Sequence, residues 1–181
     1  LTELGEAAVT KLLSTFACNR NADVENFLKH PGKAIRFEQT DNARTYLILD
    51  ADNGDILAYF SVSFKELVLE GAKISKNKVR QLDGISKHAE RIRAFLIGQI
   101  GKNSAIADNP LSLASILDEI YAVVSEARAL VGGRIIILEC EDCQELIDLY
   151  KRHGFTLIDI EGNSGTLLRT MYTHVTEHRK V

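Results

Sequence analysis

Two short apolar runs with one helix-patterned stretch between them constrain this chain more than any other feature. The first is AFLIGQIGKN at residues 94–103 and the second is RIIILEC at residues 134–140. Runs this short and this continuously apolar, flanking a single helix, read as a strand-helix-strand unit whose strands are parallel and covered on both faces. Between them Leu113, Ile116, Leu117, Ile120, Val124, Ala127 and Val131 recur at steps of three and four, which places them on one helical face. Ser112 is the expected N-cap and Gly132-Gly133 the stop.

A second helix follows at once. Asp142 is the expected cap with Glu145 as its capping-box partner, and Gly154 ends the helix before a strand over residues 155–160. A turn at residues 161–165 then leads to a closing hairpin strand at 166–172. Upstream, residues 45–49 and 56–63 form a hairpin about the turn cluster at 50–55. The first forty residues read as a strand or turn near Leu12 and Leu13, a helix from Ala22 to Lys29, and a second helix started by Pro31. The polar connection at 65–90 is too long to be bare, so it carries a helix or a functional loop.

Composition narrows the class. The chain has 181 residues, 45% hydrophobic and 26% charged, enough for one full core, so a single domain over residues 1–181 is expected. No apolar run approaches the about 18 residues of a membrane span, and no leader pattern opens the chain, so a cytoplasmic protein without membrane contact is expected. Cys18, Cys140 and Cys143 leave an odd thiol and no disulfide framework. The Cys140-x-x-Cys143 spacing lacks the second pair that a zinc site needs. A net charge of −3 gives no global attraction for nucleic acid, yet residues 72–93 hold seven Lys or Arg against Asp83 and Glu90, a local +5.

The segment ECEDCQELIDLYKRHGF at residues 139–155, above all Leu149-Tyr150-Lys151 followed by Gly154-Phe155, resembles the strand-helix-strand signature of the GNAT superfamily of acetyl-CoA-dependent N-acetyltransferases. IGQIGKN at 97–103 resembles the central strand of that superfamily in its toxin-like branch, and the similarity extends to FACN at 16–19, VENFLK at 24–29 and TYL at 45–47. The resemblance implies an α/β fold with a mixed, mostly antiparallel sheet, central parallel strands splayed apart, and flanking helices. It implies direct transfer of acetyl from acetyl-CoA to an amine, without a covalent enzyme intermediate.

Site residues follow from the same resemblance. Ile100, Gly101 and Lys102 match the positions whose main chain borders the acetyl group and pantetheine arm. The N–H groups of Leu111, Ser112, Leu113 and Ala114 are the expected diphosphate cradle, since a helix start favours anions. The superfamily's loop here is glycine-rich, whereas residues 104–113 contain no glycine and do contain Asp108. Tyr150 matches the tyrosine that in many members protonates the departing thiolate, and a phenol with a pKa of about 10 stays protonated at neutrality. Cys143 stands where members commonly place a pantetheine-binding asparagine. The general base stays open among Glu38, Glu66, Asp83 and a water chain from Glu139.

The amine acceptor, small molecule or protein, is not named by the sequence, and a homodimer is left open. One alternative is toxin-like acetylation of aminoacyl-tRNA, with the basic stretch at 72–93 gripping RNA. Another is a non-catalytic acyl-CoA sensor, motivated by the glycine-free loop and Cys143.

Overall fold

The computed structural model describes residues 6–158 and 168–175. The elements in chain order are α1 (Glu6–Ser14), α2 (Ala22–Lys29), α3 (Ala34–Gln39), β1 (Arg44–Leu49), β2 (Ile56–Val68), α4 (Lys76–Asp83), β3 (Arg91–Lys102), α5 (Leu113–Val131), β4 (Ile135–Glu141), α6 (Gln144–Arg152), β5 (Thr156–Leu157) and β6 (Leu168–His174). Six strands form one sheet in the order β1-β2-β3-β4-β6-β5. β3 and β4 are parallel, while β1/β2, β4/β6 and β5/β6 are antiparallel. This is the mixed, mostly antiparallel sheet with a central parallel pair that the sequence implied. No helix among the described residues is long and apolar enough to cross a membrane.

The chain divides into two compact units. One comprises Leu1–Ser63 and Gly98–Ile120, the other Phe64–Ile97 and Tyr121–Val181, so β2, β3 and α5 each contribute to both. In the first unit Val9, Leu13, Phe16, Leu28, Ile35, Ile56 and Tyr59 form the core. α2 begins where the Asn21 side chain accepts from the N–H groups of Asp23 and Val24 at 2.9 and 3.2 Å. Two of its charges, Glu25 and Lys29, pair one turn apart at 2.8 Å. Tyr59 is fully buried, its hydroxyl donating to the Val24 carbonyl at 2.5 Å, and burial pushes that phenol well above its ordinary pKa.

In the second unit Leu67, Val79, Leu82, Ile92, Ala94, Ile135, Ile137, Ile158 and Tyr172 pack together. α4 is capped by Ser75, whose hydroxyl accepts from the Lys78 N–H at 3.2 Å, and ends on Gly84 at φ 93°. α5 ends on Gly132 at φ 77°, as its sequence foretold.

Several expectations are corrected. Leu12 and Leu13 lie within α1; Val9, Leu13 and Phe16 repeat at helical spacing and face the core. Pro31 sits in a turn, and α3 starts at Ala34 with Lys33 at its N-cap. β2 runs on past Ser63 to Val68, because Leu67 still points inward despite the charges of Lys65 and Glu66. The N-cap of α6 is Cys143, not Asp142, whose carboxylate faces Arg169 at 3.6 Å instead. Of the predicted strand at 155–160 the described residues show Thr156–Leu157; residues 159–160, the turn at 161–165 and residues 166–167 lie outside the described residues.

Gly101 is where packing leaves no room for a side chain. A Cβ there would meet the Tyr59 and Val24 side chains at 2.7 Å and Phe16 at 2.9 Å. Gly101→Ala is expected to cost about 1–3 kcal/mol through overpacking, read as a lower urea midpoint. An unchanged midpoint would show that this core yields freely.

Candidate functional site

The parallel pair is short. Phe95, Leu96 and Ile97 register with Ile136, Ile137 and Leu138 and no further, although both strands continue. β4 keeps a partner on its other side, pairing with β6 over all seven of its residues from Ile135 to Glu141. β3 runs on through Gly98 to Lys102. The registered parallel pairing thus covers three residues of each strand.

In the first unit, the end of β3 is tied by one buried side chain. Asn103 is 3% exposed; its Oδ1 accepts from the N–H groups of Ala17 at 2.9 Å and Ala105 at 3.0 Å, and its Nδ2 donates to the Ile56 carbonyl at 2.7 Å. The loop that follows is shaped by Asn109, whose Nδ2 donates to Leu57 O at 2.7 Å and Asn103 O at 3.2 Å. Thus the stretch without glycine gets its turn from an asparagine amide. Asn109 Oδ1 accepts from the Leu111 N–H at 3.1 Å, which takes that amide out of the expected cradle.

At the start of α5 the Ser112 hydroxyl accepts from the Ser115 N–H at 3.1 Å, confirming the N-cap. The N–H groups of Ser112, Leu113 and Ala114 meet no acceptor among the described residues, and no acid lies in the helix's first turn. Three free amides at the N-terminus of a 19-residue helix attract an anion through their aligned dipoles. Of the β3 positions, Ile100 is half-buried, Gly101 buried and Lys102 exposed.

In the second unit, Cys143 at the N-cap of α6 and Tyr150 within the helix lie about two turns apart. The Tyr150 ring is half-buried edge-on to Phe155, centroids 5.8 Å apart, and its hydroxyl has no hydrogen-bond partner among the described residues. Burial pushes its pKa up to about 12, with Cys140 adding to the shift. The Cys143 thiol donates to Glu145 Oε2 at 2.8 Å, and this bond holds the Glu145 carboxyl below its usual range. Burial raises the Cys140 thiol, so it rests as an uncharged thiol in the sheet.

The four acids open as general bases all have structural partners. Glu38 accepts from the Thr45 N–H at 2.9 Å, Glu66 pairs with Arg91 at 3.2 Å, and Glu139 pairs with Lys65 at 2.6 Å. Asp83 accepts from the N–H groups of Ile85 and Ser86 at 3.1 and 2.6 Å. Sequence reasoning missed Asn103 and Asn109; the Asn109-Pro110 dipeptide, a turn marker, was the available signal for the second.

No protein-family model matches the chain, and no curated protein sequence matches it. Its fold is similar to solved structures. A tyrosine-to-phenylalanine mutant of KacT is 16% identical over 96% of this chain and 93% of that one, with a TM-score of 0.71. AtaT complexed with acetyl-methionyl-tRNAfMet is 16% identical over 91% of this chain and 88% of that one, with a TM-score of 0.69. AtaTR bound with AcCoA is 15% identical over 91% of this chain and 86% of that one, with a TM-score of 0.62. At these identities the likeness is one of fold.

Asn109→Ala removes both donations and the acceptor for Leu111. It is expected to lower stability by about 1–3 kcal/mol in urea titration, because half-buried carbonyls are left without partners. Asp108→Ala, on an exposed neighbour, should move the midpoint far less.

Proposed function

We propose that residues 1–181 act as one acetyl-CoA-dependent N-acetyltransferase domain that moves acetyl directly to an amine. The observation that carries this reading is a parallel pair registered over only three residues, in a chain whose next helix begins with three amides that meet no acceptor among the described residues. The fold likeness to AtaTR bound with AcCoA supports the same donor. Acetyl-CoA supplies an activated acetyl thioester. Ser112, Leu113 and Ala114 hold its diphosphate through their N–H groups, Lys102 offsets the charge, and the main chain of Ile100 and Gly101 borders the pantetheine arm. Cys143, with its thiol turned to Glu145, contributes through its backbone.

Tyr150 donates its phenolic proton to the sulfur as the carbon-sulfur bond breaks, while the attacking amine loses a proton to solvent or a base. A phenol raised to about 12 is a weak acid for a thiolate of ordinary pKa about 8.5. The burial that raises the phenol also raises a thiolate formed beside it, as it raises Cys140, so the proton moves as negative charge builds on sulfur. An unpartnered hydroxyl is free to make that bond.

A second reading names the acceptor as the amine of an aminoacyl-tRNA. It is favoured by the likeness to AtaT complexed with acetyl-methionyl-tRNAfMet and by the basic stretch at 72–93. Lys76 and Arg80 are exposed on α4, whereas Lys78 lies over the Tyr172 ring at 5.1 Å from its centroid. Of the three cations on α4, Lys76 and Arg80 are therefore the ones left to phosphates.

Tyr150→Phe is expected to lower kcat by about 10²–10⁴-fold while acetyl-CoA affinity changes little, measured by release of free thiol and by calorimetry. Unchanged kcat would remove Tyr150 from the acid role. Because the phenol titrates only near about 12, the wild-type rate should hold level from about pH 8 to about pH 10, where an ordinary tyrosine is already half ionised. For the acceptor, charge reversal at Lys76 and Arg80 should weaken tRNA binding and flatten its salt dependence by about one log unit per lost phosphate contact. Binding that ignores both salt and these changes would exclude the RNA reading.

A further inference from the structure

β1 pairs with β2 only as far as Val62, so the last residues of β2 lie beyond the hairpin. There Phe64 of β2 meets Phe95 of β3, ring centroids 5.0 Å apart. The last residue of α5, Val131, and the glycines after it close a cavity of about 480 Å³ over these rings. Gly133, at φ 122°, is needed for this wall, since a side chain there would overlap the Phe95 ring. The volume is that of a small-molecule site, and the walls are mainly apolar. Phe64 and Val131 are 65% and 69% exposed, so the apolar walls of the cavity remain in contact with water.

The charges at the rim are unequal. Lys65 is held by Glu139 at 2.6 Å and Glu66 holds Arg91 at 3.2 Å. Arg93, which also lines the cavity, has no ion-pair or hydrogen-bond partner among the described residues. Three cations (Lys65, Arg91, Arg93) therefore stand against two carboxylates (Glu66, Glu139), leaving one positive charge beside an apolar hollow in a chain of net charge −3.

We propose that this cavity binds a small amphipathic carboxylate, its apolar body against Phe64, Phe95 and Val131 and its carboxylate on the Arg93 guanidinium. A guanidinium fork meets a carboxylate through two parallel hydrogen bonds, and an apolar body alone would leave that cation unused. The site lies wholly within one compact unit, at the start of β3 and the end of α5. None of the residues assigned to the acetyl donor lines this cavity, so it is a site separate from the transferase reading.

The test uses the full chain and two probes, 2-naphthoate and its uncharged alcohol, followed by amide chemical shifts. Saturable shifts at Gly132, Gly133 and Phe64 are expected for the acid. Val131→Trp, which fills the hollow from an exposed position, should abolish them. Arg93→Gln should weaken the acid by about tenfold and leave the alcohol within about twofold. No saturable shift at these amides, shifts indifferent to Val131→Trp, or equal weakening of acid and alcohol would each overturn the proposal. So would self-association of the chain that Val131→Trp abolishes, which would make a second copy the occupant.

Discussion

Phe95, Leu96 and Ile97 lie beside Ile136, Ile137 and Leu138, and their side chains are apolar on both faces of the sheet. Phe95, Ile97, Ile136, Ile137 and Leu138 are all at most 4% exposed, and each such side chain contributes about 1.5–3 kcal/mol by leaving water. That buried seam fixes β3 and β4 side by side. Past it the two strands keep different company: β4 stays on β6, and β3 ends in the Asn103 knot with Ala17, Ala105 and Ile56.

The free amides of α5 depend on the same arrangement. Asn103 anchors the strand end, Asn109 is bonded to Asn103 and to β2, and Ser112 caps the helix without covering the amides in front of it. A side-chain amide thus shapes a loop for which glycine is the usual device. The cost is one N–H, that of Leu111, which Asn109 keeps. On α6 a comparable economy holds: Cys143 caps by position and not by side chain, because its thiol faces Glu145.

Legibility in the sequence followed the range of the interaction. The α2 boundaries could be read residue for residue, since Asn21, the apolar spacing and the end at Lys29 are all local. The same holds for α5 between Ser112 and Gly132. The end of β2 is hidden in the sequence because Lys65 and Glu66 look like loop residues until Glu139 and Arg91 neutralise them. Asp142 looks like a cap locally because its partner Arg169 lies far along the chain. Asn103 escaped notice for the same reason, its partners lying 86 and 47 residues away. Of the candidate site, the sequence names the residue types at Tyr150 and Ser112; whether an amide or hydroxyl there is already bonded is visible only in the structure.

Hydrogen exchange at the amides of Ser112, Leu113 and Ala114, with and without acetyl-CoA, tests the central claim most directly. These groups have no acceptor among the described residues, so a diphosphate seated on them should slow their exchange by at least about tenfold while the amides of α4 are unaffected. Exchange at these three positions that is indifferent to saturating acetyl-CoA would contradict the account, whatever the protein's fold resembles.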